Sequence, residues 1–241
     1  MPLYLIPCTL NCQPSTGGDA ADIARCVPPY NAELLCRMRH FIVEDIRSAR
    51  RFLRAVSRDI DIDALTFYEM GKHADTSRYA TYLQPLREGE DMGVISEAGC
   101  PAVADPGSDI VAIAQREGLS VVPLVGASSL LMAVMASGLG GQSFAFHGYL
   151  PIDAGERTRC LKRLEQRSRE EHQTQLFIET PYRNAKLMAD LLSTCAPTTR
   201  LCIAAGITTP AEYIHTRTIR AWRSAAVPDL KKVPAIFLIR S

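Results

Sequence analysis

Short apolar runs that alternate with helical patterns constrain the fold of the first half of the chain more than any other feature. Each run has the length of a buried strand, and a helical pattern or a polar loop follows it. The runs are Leu3–Ile6, Phe41–Val43, Leu65–Tyr68, Met92–Ile95 and Ser120–Pro123. This alternation predicts an α/β domain with a parallel sheet flanked by helices. Residues 11–30 are rich in Gly, Pro, Asn and Ser and are predicted to be irregular, with a short helix at Ala20–Arg25.

A glycine-rich break at Gly138–Gly141 separates this pattern from a second set of strands. Such a break favours a domain boundary, so we predict domains at residues 1–138 and 142–241. The later strands are expected at Phe144–Leu150, Thr174–Glu179, Leu201–Ala205, Tyr213–Thr218 and Val233–Ile239. They predict a second, smaller α/β domain with a mixed sheet.

The loop after the fourth strand is the strongest candidate for a functional site. Over Val94–Gly107 an apolar strand end runs into small residues, two prolines and two glycines before a helix begins. Ordinary strand-to-helix connections need only about two to six residues, and this one is longer. Open α/β sheets bind ligands at their carboxyl edge, and Gly99 would allow a ligand to approach the backbone. The alternative is an ordinary connection without a ligand.

Other ends of the predicted parallel strands carry small or polar residues at the same edge. They are Pro7–Leu10, Glu44–Asp45 and Gly126–Ser129. Ser128 fits a helix N-cap as well as a binding role. Glu44 and Asp45 fit the electrostatics of a helix N-terminus, or a charged cluster together with Arg47 on the same turn. The sequence leaves these alternatives open.

Composition and motifs exclude several classes of protein. The formal net charge is +1, so no broad positive field indicates a nucleic-acid-binding protein. Arginine far outnumbers lysine, however, and the planar guanidinium group is better suited to bind phosphate. The eight cysteines contain no C-x-x-C pair, which favours free thiols in a reducing cytoplasm. Neither a signal peptide nor an apolar run of about 18 residues is present, so we expect a cytoplasmic protein without a membrane span. No motif has metal-ligand spacing, and the dinucleotide and phosphate-loop glycine motifs are absent, so no metal is expected.

Four spaced blocks, in order, resemble one known family. Its Glu-Asp-Thr-Arg is met by Glu44–Arg47, and its Ser-Asp-Ala-Gly-Thr-Pro-Gly-Ile-Ser-Asp-Pro-Gly by Ser96–Gly107, with changes at 97, 100, 102, 103 and 104. Its Val-Val-Pro-x-x-Gly-x-Ser and Ala-Ser-Gly-Leu are met by Val121–Ser128 and Ala136–Leu139, and its Phe-Tyr-Glu-Ser-Pro-His-Arg by Phe177–Arg183. The chain therefore resembles the tetrapyrrole-methylase superfamily, the class III S-adenosylmethionine methyltransferases. Within it, the chain is most similar to the ribosomal RNA small-subunit methyltransferase I family.

Three segments depart from the pattern of that family. Its Gly-Asn turn after the first strand is replaced by Cys8–Gln13, and its His- and Asn-bearing segment is met only loosely by Tyr68–His73. Its Ala-Arg-Glu-Leu-Thr-Lys strand end is replaced by Ala204–Thr209, which loses an arginine, a carboxylate and a lysine. These segments would face the acceptor, so the resemblance supports methyl-donor binding more strongly than the identity of the acceptor.

The resemblance implies a set of site residues. It implies a homodimer with S-adenosylmethionine in the cleft between the two domains. The residues implied to bind this cofactor are Leu10, Ala98, Gly99, Cys100, Val103, Ser128, Ser129, Glu179, Ile207, Pro234 and Ala235. A ribose hydroxyl is a poor nucleophile, so a carboxylate that takes its proton is expected, with Glu44, Asp45 and Glu97 as candidates. Arg47 and Arg183 are expected to hold phosphate.

The function implied by the resemblance is ribose 2′-O-methylation of a cytidine in small-subunit (16S) ribosomal RNA. The implied partner is this RNA or the small ribosomal subunit, with neither a membrane nor a metal involved. Two alternatives remain open. One is a methyltransferase of the same fold that acts on a tetrapyrrole or another small molecule. The other is a non-catalytic module that binds RNA or the ribosome.

Overall fold

The chain folds as two units, each built around its own five-stranded sheet. The computed structural model describes residues 1–10, 20–71 and 75–241. The units comprise Met1–Ser128 and Ser129–Ser241. Parts of two segments that depart from the family pattern, residues 11–13 and 72–73, lie outside the described residues.

The sheet of the first unit is parallel throughout. Its strands are β1 (Pro2–Ile6), β2 (His40–Val43), β3 (Thr66–Glu69), β4 (Met92–Ile95) and β5 (Ser120–Pro123). Their order is β3-β2-β4-β1-β5, and each neighbouring pair runs in the same direction. This confirms the predicted parallel sheet. Because all five strands point the same way, their carboxyl ends meet at one edge.

Both faces of this sheet are buried, as expected where helices cover a parallel sheet. Successive residues of β2 point to opposite sides. Phe41 and Val43 join the core that contains Leu53 of the following helix, whereas Ile42 packs in the other core with Val94. The helices are α1 (Ala20–Cys26), α2 (Pro29–Arg37), α3 (Ile46–Val56), α4 (Tyr79–Tyr82), α5 (Gln84–Arg87) and α6 (Ser108–Arg116).

The sheet of the second unit is mixed, as predicted. Its strands are β6 (Phe144–Tyr149), β7 (Thr174–Ile178), β8 (Arg200–Ala205), β9 (Tyr213–Thr218) and β10 (Ala235–Arg240). The order is β6-β7-β10-β8-β9, in which only the β6–β7 pair is parallel. The helices are α7 (Ser129–Ser137), α8 (Ala154–Glu170), α9 (Asn184–Thr194) and α10 (Ile219–Arg223).

The units divide before α7, whereas the sequence pattern places the domain boundary after it, at the glycine-rich break. Helix α7 belongs to the second unit, and its C-terminal end is hydrogen-bonded to the sheet of that unit. The Thr216 hydroxyl on β9 donates to the Ser137 carbonyl oxygen at 2.6 Å. Of the helices in the described ranges, none combines the length and the apolar character needed to cross a bilayer.

Candidate functional site

The carboxyl edge of the first sheet brings the predicted strand ends together. Strand β4 lies between β2 and β1, so its long loop begins beside both of their ends. The Cys8 amide donates to the Gly99 carbonyl oxygen at 2.8 Å. On the other side, the Glu44 amide donates to the Ile95 carbonyl oxygen at 3.2 Å. These bonds fix the start of the loop against the β1 and β2 ends.

Gly99 lies where a side chain would fill the space between two strand ends. Its φ is +67°, and a Cβ atom there would lie 3.2 Å from Leu10 Cδ2 and 3.6 Å from the Ala127 carbonyl oxygen. The adjacent Cys100 thiol donates to the same Ala127 oxygen at 3.4 Å and is hydrogen-bonded to Ser128. Four predicted cofactor-binding residues of the first unit, Leu10, Gly99, Cys100 and Ser128, therefore surround one stretch of backbone.

The remaining predicted residues of this loop are less enclosed. Ala98 is half-buried, and Val103 is exposed. Beyond Gly99, the loop turns through left-handed backbone at two residues that are not glycine, since Ala102 and Ala104 both have φ of 65°. The Ala102 amide donates to the Pro106 carbonyl oxygen at 3.1 Å, which closes the turn. Non-glycine residues rarely adopt such angles, so the loop stores backbone strain next to the candidate site.

Two of the predicted base candidates, Glu44 and Glu97, face each other across the β2 and β4 ends. The Glu97 amide donates to Glu44 Oε2 at 3.2 Å, and the Ser48 hydroxyl donates to Glu97 Oε1 at 3.4 Å. Burial raises the pKa of the Glu44 carboxyl. The hydrogen bond from the Glu97 amide opposes this rise, and the nearby charges of Glu97 and Asp45 add to it. Glu44 is therefore a stronger base than an ordinary glutamate.

A third carboxylate, Asp105, joins this cluster and is not among the site residues predicted from the sequence. Burial raises its pKa to about 6, and the charges of Glu44 and Glu97 add to the shift, while a hydrogen bond with the Ser96 side chain opposes it. A carboxylate in the same loop as Glu97 was the signal that could have revealed it. Perturbed carboxylates of this kind are enriched at functional sites.

Asp45, the other predicted base, is the N-cap of α3. Its Oδ1 accepts from the Ser48 amide at 2.7 Å, and this hydrogen bond lowers the pKa of the Asp45 carboxyl. The helix-terminus alternative therefore describes its local role. Arg47 follows on the first turn of α3 with an exposed side chain.

The predicted residues of the second unit meet at one edge of its own sheet. The register pairs Ile178 with Ile236 and Ala205 with Ala235, so the ends of β7 and β8 lie beside the start of β10. The Gly206 amide donates to the Pro234 carbonyl oxygen at 3.0 Å. Of the predicted cofactor-binding residues, this edge gathers Glu179, Ile207, Pro234 and Ala235, while Ser129 begins α7.

Glu179 and Arg183 form an ion pair at this edge. The Glu179 side chain is 2% exposed, and its Oε1 accepts from Arg183 Nη2 at 2.6 Å and from Arg183 Nε at 3.0 Å. The Thr180 amide donates to the same oxygen at 2.7 Å. Glu179 therefore pairs with the guanidinium of Arg183, which was predicted to bind phosphate. A phosphate bound there would be the second anion beside Arg183, after the Glu179 carboxylate.

A metal centre has no counterpart in the described part of the chain. Within residues 1–10, 20–71 and 75–241, the His, Cys, Asp and Glu side chains form no group of three or more that could hold a metal ion.

Comparison with known proteins gives consistent sequence relatives. The chain is 32% identical over 149 residues to "Ribosomal RNA small subunit methyltransferase I" of Halalkalibacterium halodurans, covering 62% of this chain and 48% of the relative. It is 36% identical over 120 residues to the protein of the same name from Pseudomonas aeruginosa, covering 50% and 41%. It is 28% identical over 213 residues to the protein of the same name from Escherichia coli O157:H7, covering 88% of this chain and 68% of the relative. The chain spans about half the length of most curated relatives it matches.

Solved structures with the same fold are methyltransferases. A crystal structure of the methyltransferase CobJ superposes with a TM-score of 0.59 at 20% identity, covering 90% of this chain and 88% of the other. A uroporphyrin-III C-methyltransferase from Thermus thermophilus, complexed with S-adenosylhomocysteine, gives a TM-score of 0.53 at 16% identity, covering 100% and 98%. At these identities the likeness establishes the fold.

The family model described as "Tetrapyrrole (Corrin/Porphyrin) Methylases" matches residues 27–222, a range that includes the β2 and β4 strand ends and the Glu179–Arg183 pair. On that match and the shared fold, the chain belongs to the tetrapyrrole (corrin/porphyrin) methylase family.

Proposed function

We propose that this protein is an S-adenosylmethionine-dependent methyltransferase that methylates a ribose 2′-hydroxyl of a cytidine in small-subunit (16S) ribosomal RNA. The observation that carries the proposal is the junction at Gly99, where the chain after β4 meets the residues that follow β1 and β5, beside a carboxylate cluster. The names of the sequence relatives, which are ribosomal RNA small subunit methyltransferases, supply the substrate class.

The residues around Gly99 fit the cofactor because most of their side chains are small or apolar. A Cβ at position 99 would meet Leu10 and Ala127, and the φ of +67° also favours glycine there. In the first unit, Leu10, Ala98, Gly99, Cys100, Val103 and Ser128 would hold the cofactor. In the second, the residues assigned to it are Ser129, Glu179, Ile207, Pro234 and Ala235. When bound, the cofactor supplies an electrophilic methyl group on a sulfonium.

Of the three carboxylates predicted as bases, Glu44 is the best suited to take the proton of the hydroxyl. Burial raises its pKa, whereas Asp45 is held by the Ser48 amide, which lowers its pKa. Glu44 would take the proton of the hydroxyl as the hydroxyl oxygen displaces the methyl group from the sulfonium, whose sulfur would keep the electron pair of the broken bond. Orientation supplies much of the rate in such displacements.

The acceptor side relies on arginine. Arg47 is exposed beside the cluster, and Arg183 is held by Glu179 at the edge of the second sheet. Guanidinium groups bind phosphate with two parallel hydrogen bonds, so both residues are assigned to the RNA backbone. A ribosomal partner also implies a cytoplasmic location.

A homodimer is part of the proposal. Helix α7 contains no charged residue, yet Leu131 and Met135, one helical turn apart, are 53% and 82% exposed. Exposed apolar residues on one side of a helix favour burial against another protein surface, and a second copy of this chain is the proposed one.

Methyl transfer to ribosomal subunits tests the activity. Small subunits that lack the modification are incubated with S-adenosylmethionine labelled on its methyl group. We expect label in the RNA, and Glu44→Gln is expected to slow transfer by a factor of about 10²–10⁴ because a general base is lost. The dissociation constant of the cofactor, measured by calorimetry, is expected to stay unchanged in this variant.

The controls separate the two alternatives. Arg159→Gln on α8 changes one exposed charge in the second unit and is expected to leave the transfer rate unchanged. Heat of cofactor binding without transfer to RNA would favour a small-molecule methyltransferase, to which the near-neutral net charge of +1 also points. The absence of both heat and transfer would favour a non-catalytic module.

A further inference from the structure

Helix α3 is strongly positive, although positive and negative charges nearly cancel over the whole chain. Its sequence, Ile46–Val56, contains four arginines and no acidic residue, although the whole chain has a formal net charge of +1. At 100° per residue, Arg47, Arg51 and Arg54 fall within about 60° of one another on one side of the helix. Ala49, Phe52 and Leu53 are buried on the other side.

Ion pairing occupies only part of this charge, although Arg47 and Arg51 also lie close enough to the Asp45 carboxyl to lower its pKa. Arg50 forms an ion pair with Asp63 at 2.7 Å. Arg54 Nη1 donates to the Arg58 and Ile60 carbonyl oxygens, and Arg51 Nη2 donates to the Ser48 hydroxyl at 3.1 Å. Neutral oxygens keep a guanidinium in place without cancelling its charge. Among the described residues, Arg50 is the member of this helix that is engaged in an ion pair.

The helix starts at the candidate site and leads away from it. Its N-cap, Asp45, directly follows Glu44 at the carboxyl edge of the sheet. With a rise of about 1.5 Å per residue, Arg51 lies about 6 Å and Arg54 about 10 Å along the axis from Arg47. Three cations therefore form a line that begins beside the carboxylate proposed to receive the proton.

We propose that this face of α3, defined by Arg47, Arg51 and Arg54, is a track for the phosphates of the RNA strand that carries the modified nucleotide. The inference rests on the proposed function and extends it from the single phosphate contact at Arg47 to a continuous surface. A line of guanidinium groups matches a chain of phosphodiesters, which presents one negative charge per nucleotide along a line.

An anionic membrane would meet the same charges but fits the helix less well. Helices that lie in a membrane interface pair their basic face with an apolar face that enters the lipid. The apolar residues of α3, among them Phe52 and Leu53, are instead buried in the core of the first unit. The face available for contact is polar, which favours RNA.

Salt-dependent RNA binding tests this track. The probe is unmodified 16S ribosomal RNA made by transcription, and its dissociation constant is measured over a series of salt concentrations. For Arg47→Gln/Arg51→Gln, which removes two phosphate contacts, the slope of log K against log salt is expected to fall by about 1.4. The matched control, Arg159→Gln/Arg163→Gln, removes two exposed charges from α8 and is expected to keep the slope of the unaltered protein.

Failure of the track is distinguishable from failure of the proposed function. If the unaltered protein methylates the RNA but the α3 variant keeps the same slope and affinity, the track is wrong while the function stands. If the α3 variant loses binding to vesicles of anionic phospholipid and keeps binding to RNA, the face serves a membrane and the track is again wrong. A slope that falls equally in the α8 control would mean that net charge, rather than this face, governs binding.

Discussion

At the residue scale, Asp105 in the loop after β4 is expected to make the free energy of unfolding depend on pH. Its pKa rises from 3.8 to about 6 on folding because the carboxyl is half-buried beside Glu44 and Glu97. A carboxyl with a raised pKa binds more protons in the folded state than in the unfolded one between these two pH values. Its contribution to the free energy of unfolding is therefore most favourable below about pH 4, declines as the pH rises toward 6, and stays constant above that.

Asp105→Asn is expected to remove this decline. The variant should resist urea better than the unaltered protein at about pH 7.5 and should show little advantage at about pH 4, as measured from the unfolding midpoints. Asp153→Asn offers a control of opposite sign, because the Glu156 amide lowers the pKa of Asp153 at the N-cap of α8. An advantage of Asp105→Asn that is the same at both pH values would contradict the assignment.

Ala102 gives a second prediction, since it stands where the related family carries glycine. Its φ of 65° is left-handed, a conformation that costs an L-residue roughly 1–2 kcal/mol and glycine much less. Ala102→Gly is therefore expected to raise the free energy of unfolding by about 0.5–1 kcal/mol after the larger chain entropy of glycine is included. Ala112→Gly, at an exposed position inside α6, is expected to lower it by about 1 kcal/mol. Two changes of the same sign would contradict the strain argument.

The residues of the candidate site were predictable from sequence only where a motif fixed their position. Gly99 and Cys100 stand in a recognisable block, and the structure places them beside Leu10 and Ser128. For Asp105 the sequence gives only its place in the same loop as Glu97, because its environment depends on how the loop folds back onto the Glu44 side. The pairing of Arg183 with Glu179 depends on the turn before α9, in which the Arg183 amide donates to the Thr180 carbonyl oxygen at 2.8 Å, so no helical spacing predicts it.

At the scale of elements, periodicity located the strands, and proline obscured one helix. The predicted run Leu65–Tyr68 and the observed strand Thr66–Glu69 differ by one residue, which is the usual uncertainty of strand ends. Helix α2 begins at Pro29, inside a stretch that was predicted to be irregular because of its prolines and glycines. Proline is well suited to the first turn of a helix, so the same residue that suggested a break in fact marks a start.

At the scale of the whole molecule, the exposed apolar residues of helix α7 form the proposed dimer interface. Sedimentation velocity on the unaltered protein is expected to give twice the mass of one chain. Met135→Glu would place a charge on the exposed side of α7 and is expected to shift the protein to the monomer, because a buried unpaired charge is costly at an interface. Ile152→Glu introduces the same charge at another exposed apolar residue, before α8, and should leave the dimer intact.

The dimer can be tested independently of cofactor binding and methyl transfer. Met135 is not among the residues assigned to the cofactor, so the monomeric variant is expected to bind S-adenosylmethionine with unchanged affinity in calorimetry. A monomer in the unaltered protein would contradict the dimer while leaving the carboxylate cluster and the α3 track untouched. A dimer that persists in Met135→Glu but dissociates in Ile152→Glu would move the interface from α7 to the start of α8.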